Sequence, residues 1–248
     1  MQYLNTELMN AIDVNSFRDA QPYPWLNPVG MILPDMLPRL IEEMPPLEQF
    51  TPTFGYERKF GQTSHDRYML EYCPDLDISP HWRAFIDELC SDTYRDFVRR
   101  LFEVNNVKFS FQWHYTPRGA SVSPHVDSRR KVGTQIFYMN TEQDWRAEWG
   151  GQTLILDDHG EFKRDTSPPV EQFYNCTEAV IGENHSLIFG RGQKSWHAVK
   201  ALDCPQDRYR KVFIVRYEKA RPIKKLRKRI AGMLKGEPAP EPGQQTVF

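Results

Sequence analysis

The chain has 248 residues, enough for one medium domain with extensions and a sizeable buried core. Apolar residues make up 40 % and aromatics 13 %, and 32 basic side chains nearly balance 33 acidic ones, for a net charge of -1. Overall charge therefore names no nucleic-acid, membrane or acidic partner. The N-terminus carries no basic stretch followed by an apolar run, and no segment approaches the roughly eighteen apolar residues of a spanning helix, so the protein reads as cytoplasmic. Cys73, Cys90, Cys176 and Cys204 lack C-x-x-C spacing and read as reduced thiols rather than a disulfide framework or zinc knuckle.

Residues 1–105 read as a mostly helical region packed on the core. "DMLPRLIEEMPP" predicts a short helix that Pro45 and Pro46 end, because proline cannot continue the backbone ladder. From Pro80 onward, Trp82, Phe85, Ile86, Leu89, Phe97, Val98, Leu101 and Phe102 recur at three- and four-residue spacings, which predicts one helix with a single apolar stripe lying on something flat. After Asn106 the period changes to two. In "VKFSFQWHYTP", Phe109, Phe111, Trp113 and Tyr115 share one face of a strand, and Ser110, Gln112 and His114 share the other.

Further short strands are expected in "GTQIFYMN", "QTLILDD", "HSLIFG", "SWHAVKA" and "YRKVFIVRYE", separated by turn residues and without intervening helices. This pattern over residues 106–218 argues for an antiparallel sandwich or barrel. Residues 157–176 form a long polar connection. At the end of the chain, residues 219–235 hold eight Lys or Arg and no acid, with Ile223, Leu226, Ile230 and Met233 at helical spacing. That segment is expected to be a basic amphipathic helix whose apolar stripe packs on its own domain, with peripheral contact with an anionic membrane as the alternative, whereas nucleic acid is disfavoured because no aromatics are interleaved with its charges. Residues 236–248 read as a disordered tail.

Chemistry enters at "SVSPHVDSRRKVG". His125 and Asp127 are two positions apart, so on a strand they project from one face, and His197 in "KSWHAVKAL" is the best third partner. Two imidazoles and one carboxylate on one face of a metal leave the opposite positions open, as in non-haem Fe(II) oxygenases, although Zn or Mn accepts the same ligands. A competing H-x-E pair, His159 and Glu161, flanks Gly160 just after a strand and reads as a turn tip.

Residues 107–218 resemble the double-stranded β-helix (jelly-roll) core of Fe(II)/2-oxoglutarate-dependent dioxygenases, most closely the prolyl 4-hydroxylase-like branch that includes the hypoxia-sensing prolyl hydroxylases. The resemblance runs through six landmarks in order: "WHYTPRG" with Tyr115 ten residues before His125, "HVD", "IFYMN" with Tyr138, "WGGQTLIL" with Gly150 and Gly151, "HSLIFGRGQKSWHAV" ending in His197, and "RKVFIVRYE" with Arg210. It implies that His125, Asp127 and His197 hold Fe(II), and that Tyr115 and Tyr138 contact 2-oxoglutarate. Arg210, or Arg208 two residues earlier, would bind the distal carboxylate. It further implies hydroxylation with O2 as oxidant and release of succinate and CO2, with ascorbate as a reductant, on a peptide or protein residue or a small metabolite. The carboxylate at position 127 favours hydroxylation, because related halogenases carry a small residue there. The alternative reading is a non-catalytic or Zn/Mn jelly-roll binding module that works through the basic C-terminal segment. Oligomeric state is open.

Overall fold

Strict alternation along two ten-residue strands builds the centre of the molecule. The computed structural model describes residues 1–220. In chain order its elements are α1 (Thr6–Ala11), α2 (Val14–Asp19), β1 (Trp25–Leu26), α3 (Leu37–Glu42), β2 (Thr51–Thr53), β3 (Arg67–Glu71), α4 (Pro80–Leu89), α5 (Asp92–Phe102), β4 (Val107–Thr116), β5 (Val122–Val126), β6 (Lys131–Tyr138), β7 (Thr153–Asp157), β8 (Asn175–Glu178), β9 (Ser186–Gly190), β10 (Trp196–Val199) and β11 (Arg210–Lys219). Seven strands form a major sheet in the order β1-β9-β6-β11-β4-β3-β2, and four form a minor sheet, β5-β10-β7-β8. Every strand pairing in both sheets is antiparallel. This is the jelly-roll arrangement expected from the sequence.

Strands β4 and β11 pair along their whole length, from Arg210 opposite Thr116 to Lys219 opposite Val107. Residues directly opposite share a face. Phe111, Trp113, Phe213, Val215 and Tyr217 therefore point to one side, where they pack with Trp82, Phe85, Tyr94 and Leu101 of α4 and α5. Trp82 meets Trp113 edge-on at 5.1 Å between ring centroids. On the other face Val212 and Tyr138 pack with Leu187 and Phe189 of β9 in the same sheet and with Ile155 of the minor sheet. The interior of the jelly roll is thus the inner face of the major sheet against β5, β10 and β7.

The helix expected from Pro80 onward is two helices. Ser91 interrupts it, and its hydroxyl caps α5 by accepting from the Tyr94 amide at 3.4 Å. The apolar spacing survives the break because both helices turn their stripes to the same sheet, so periodicity alone does not reveal it. Helix α3 stops before Pro45, as its sequence predicts.

A second difference concerns residues 1–105, which supply three strands of the major sheet besides their five helices. Strands β2 and β3 extend the sheet beyond β4, and β1 adds to β9. Both prolines that sit inside strands, Pro52 and Pro124, lie on edge strands, where no partner needs the missing N–H. Residues 157–176 carry a short β8 at their end. Among the described residues no helix is long and apolar enough to cross a membrane. The basic segment 219–235, apart from Lys219 and Ala220, and the tail 236–248 lie outside the described residues.

Candidate metal centre

Strand pairing places the two imidazoles. His125 on β5 stands directly opposite His197 on β10, their ring centroids 4.3 Å apart. Asp127 follows two residues after His125 and turns its carboxylate to the same side. One ligand atom from each of His125, Asp127 and His197 lies within 4.8 Å of the others, and among the described residues this is the one such cluster of three. His159 and Glu161 stand apart on an exposed turn, where His159 stacks on Tyr174 and Glu161 accepts from the Tyr174 hydroxyl.

Each imidazole is oriented by its own strand. Nδ1 of His125 lies 2.9 Å from the Ser123 carbonyl, and Nδ1 of His197 lies 3.0 Å from the Ser195 carbonyl. A carbonyl only accepts, so Nδ1 carries the proton in both rings and Nε2 holds the free lone pair. Burial, with the neighbouring His197, holds His125 down at about 3, and burial also lowers His197. Both rings are neutral, as ligation requires. Burial alone would raise the Asp127 carboxyl. The ammonium of Lys131, 2.7 Å from Oδ1, together with the two imidazoles outweighs it and keeps the group well below the usual carboxylate range. Its main chain is held independently, because Nη2 of Arg164 and Nε of Arg191 both donate to the Asp127 carbonyl, at 3.0 and 3.3 Å.

Arg210 opens β11 and points into the interior at 5 % exposure. Its Nη2 donates to the Thr153 hydroxyl at 3.2 Å, and the Tyr138 hydroxyl donates to the same oxygen at 2.9 Å. Nε of Arg210 is buried without a hydrogen-bond partner, and no carboxylate among the described residues pairs with the guanidinium. Burial lowers its pKa accordingly. Gly151 makes room for it: at φ +81° a Cβ there would lie 2.9 Å from Arg210 Cδ. Arg208 precedes the strand rather than sharing its face. It is 43 % exposed and lies 3.8 Å from Asp207, so it does not enter the interior.

Tyr115 is a correction. It shares the parity of Trp113 and lies on the helix-covered face, where its hydroxyl donates to the Pro45 carbonyl at 2.8 Å and its ring stacks on Phe50 at 4.2 Å. The spacing of ten residues before His125 selects it, but strand parity turns it away. His114, on the other face of the strand, is the neighbour that points inward opposite Val212, with Nε2 3.1 Å from Gln112 Oε1. Tyr115→Phe is therefore expected to leave 2-oxoglutarate affinity unchanged and to cost about 1 kcal/mol of stability, the usual worth of one buried hydrogen bond, as read by urea unfolding beside a 2-oxoglutarate titration.

His65 was also missed. Its ring centroid lies 5.2 Å from that of His125, and its Nε2 is buried without a partner. It lies on the irregular connection between β2 and β3, where no periodicity marks it.

No protein-family profile matches the sequence, and no curated protein matches it. Solved structures do. A prolyl-4-hydroxylase from Pseudomonas putida superposes with a TM-score of 0.57 at 13 % identity, covering 84 % of this chain and 98 % of its own. A prolyl hydroxylase from Trichoplax adhaerens, solved with a hypoxia-inducible-factor oxygen degradation domain peptide fragment, gives 0.56 at 13 % identity over 87 % of this chain and 90 % of its own. A prolyl 4-hydroxylase from Phytophthora capsici gives 0.59 at 12 % identity over 96 % and 77 %. The chain shares the prolyl 4-hydroxylase fold.

Proposed function

We propose that the protein is a non-haem Fe(II)/2-oxoglutarate-dependent dioxygenase that hydroxylates a peptide residue or a small metabolite. The observation that carries this reading is Arg210: a buried guanidinium with an orphaned Nε and no acidic partner, in the same interior as a neutral two-histidine, one-carboxylate cluster. A buried charge without a counter-charge is disfavoured. A dicarboxylate that chelates a metal at one end and meets a guanidinium at the other satisfies both groups. A zinc or manganese binding module would use the cluster and leave Arg210 unexplained.

The residues present fit the implied iron and co-substrate. His125, Asp127 and His197 would hold Fe(II), and Arg210, Thr153 and Tyr138 would hold the distal carboxylate. Iron(II) with 2-oxoglutarate and O2 supplies oxidative decarboxylation to succinate and CO2, with transfer of one oxygen atom to a substrate C–H bond. The protein's part is orientation. Ser123 and Ser195 fix the tautomers of the imidazoles, and Lys131 keeps Asp127 ionised. Phe189, 4.7 Å from His197 between ring centroids, and Ile155 keep the surroundings apolar.

Anaerobic addition of Fe(II) and then 2-oxoglutarate is expected to give a weak visible metal-to-ligand band, and its absence at saturating ligand would overturn the reading. Tyr138→Phe is expected to weaken 2-oxoglutarate binding by roughly ten- to a hundredfold, because a hydrogen bond to a charged group is worth about 1.5 to 3 kcal/mol; isothermal titration of the Mn(II)-loaded variant measures it.

A further inference from the structure

The connection between β2 and β3 closes over the metal cluster. Thr63 pins it: the Thr63 amide donates to Ser123 Oγ at 2.8 Å, and the two hydroxyls lie 2.6 Å apart. Ser123 is the residue whose carbonyl orients His125. The connection thereby sets the 6 %-exposed His65 against His125. Arg67 follows at the start of β3 and folds back, with Nη1 donating to the His65 carbonyl at 2.7 Å. Because Tyr68 stands opposite Tyr115, Arg67 takes the other face of the sheet, the one that carries His114 and Arg210.

Charge on this face does not close. Lys131 pairs with Asp127 at 2.7 Å, and Arg216 pairs with Glu71 at 3.0 Å. Arg210 is accounted for by the co-substrate. Arg67 and Arg58 remain. Nε of Arg67 is buried without a partner, and apart from the His65 carbonyl its one other contact is a 4.0 Å approach to the Met69 sulfur. Nε of Arg58 donates only to Gln62 Oε1, at 3.1 Å. Neither forms an ion pair with an acid among the described residues. Asp66, the nearest acid in sequence, spends its Oδ1 on the Gly55 amide and the Ser64 hydroxyl. Burial lowers both guanidinium pKa values, Arg67 to about 10, and the charges of Arg58 and Arg216 lower Arg67 further, with Asp66 only partly opposing them. Two like charges held together, with an imidazole Nε2 left unpartnered beside them, form a site complementary to an anion.

We propose that Arg58, Arg67 and His65 form an anion subsite beside the metal cluster, so that the molecule hydroxylated there carries a carboxylate or a phosphate. The inference rests on the dioxygenase reading for the word hydroxylated, but the subsite itself does not. A neutral peptide carbonyl would satisfy one N–H and leave both charges uncompensated, so the anionic substrate is the better match.

The test uses full-length protein loaded with Mn(II) and saturating 2-oxoglutarate under nitrogen, titrated with inorganic phosphate and separately with acetate. Calorimetry reads affinity, and 31P or 13C relaxation by Mn(II) reads proximity to the metal. Phosphate, acetate or both are expected to bind close to the metal. Arg67→Gln and, as a second and more peripheral change, Arg58→Gln should each weaken that binding about tenfold or more while 2-oxoglutarate affinity holds. Preference for phosphate assigns a phosphorylated substrate, and preference for acetate a carboxylate one. Undiminished binding in both variants, or binding of neither anion, overturns the subsite. Failure of 2-oxoglutarate itself to bind the wild type would instead sink the dioxygenase reading, and the arginine dependence of phosphate binding, read by calorimetry, would still decide this inference.

Discussion

Asp127→Ala is expected to abolish 2-oxoglutarate turnover and to weaken Fe(II) binding by more than the roughly 10- to 100-fold that loss of an outer-shell partner typically costs. The carboxylate is the one anionic ligand of the cluster, and without it two neutral imidazoles face the cation beside an unpaired Lys131 ammonium. Local collapse is not the expected cause of the loss. The segment is held by Arg164 and Arg191 through the Asp127 main-chain carbonyl, which the substitution retains. Asp127→Asn, nearly isosteric, should therefore keep the wild-type fold, with some loss of stability from the unpaired Lys131, and still fail to turn over. His125→Ala and His197→Ala should behave alike, since each removes a ligand whose Nδ1 is committed to a carbonyl and whose Nε2 is free. The measurements are equilibrium metal binding and succinate release, with His159→Ala and Glu161→Ala as controls that leave both unchanged. Loss of activity in either control with Asp127→Ala still active would mean that the wrong pair had been chosen.

The chemistry of the site was more legible in the sequence than its shape. The period-two runs of β4 and β11, His125 and His197 lie on regular strands, with Asp127 directly after β5, and on strands local pattern dictates which way a side chain points. The inward direction of Arg210 was legible for the same reason, whereas Arg208 lies before the strand begins. Tyr115 shows what happens when spacing and parity disagree. The alternation of Phe109, Phe111, Trp113 and Tyr115 already puts that tyrosine on the apolar face, and the helices with an apolar stripe are what cover it. His65, Arg58 and Arg67 were not legible. They reach the site through an irregular connection whose course is decided by contacts some 60 residues away, such as Thr63 on Ser123, and no local period records such a contact. Ser91 was hidden for the opposite reason, since the periodicity continued across a break that only a cap marks.

Arg210→Ala is expected to lower 2-oxoglutarate affinity by roughly 30- to 4,000-fold. Truncating one partner of a buried charge pair costs about 2 to 5 kcal/mol, at about 1.4 kcal/mol per decade. Arg210→Lys should recover little of it, because the pocket's Gly151 and Thr153 are fitted to a planar guanidinium and an ammonium offers no two-pronged donor. Arg208→Ala should be silent, as its side chain is exposed and lies against Asp207. Iron binding without 2-oxoglutarate should barely change in any of the three. Stability separates this account from a structural role for Arg210. In the free protein the guanidinium has no acidic partner and an orphaned Nε, so Arg210→Met, which fills similar volume without charge, should leave the ligand-free protein as stable as the wild type or more so. Saturation at about 100 times the dissociation constant should stabilise the wild type by about 2.7 kcal/mol, and the methionine variant should keep at most about 0.9 kcal/mol of that gain at the same concentration. Thermal unfolding with and without 2-oxoglutarate, in the presence of Mn(II), reads both quantities. A ligand-free Arg210→Met protein that is markedly destabilised would make Arg210 a structural residue, and an Arg208→Ala protein that alone lost 2-oxoglutarate would move the anchor to the turn before β11.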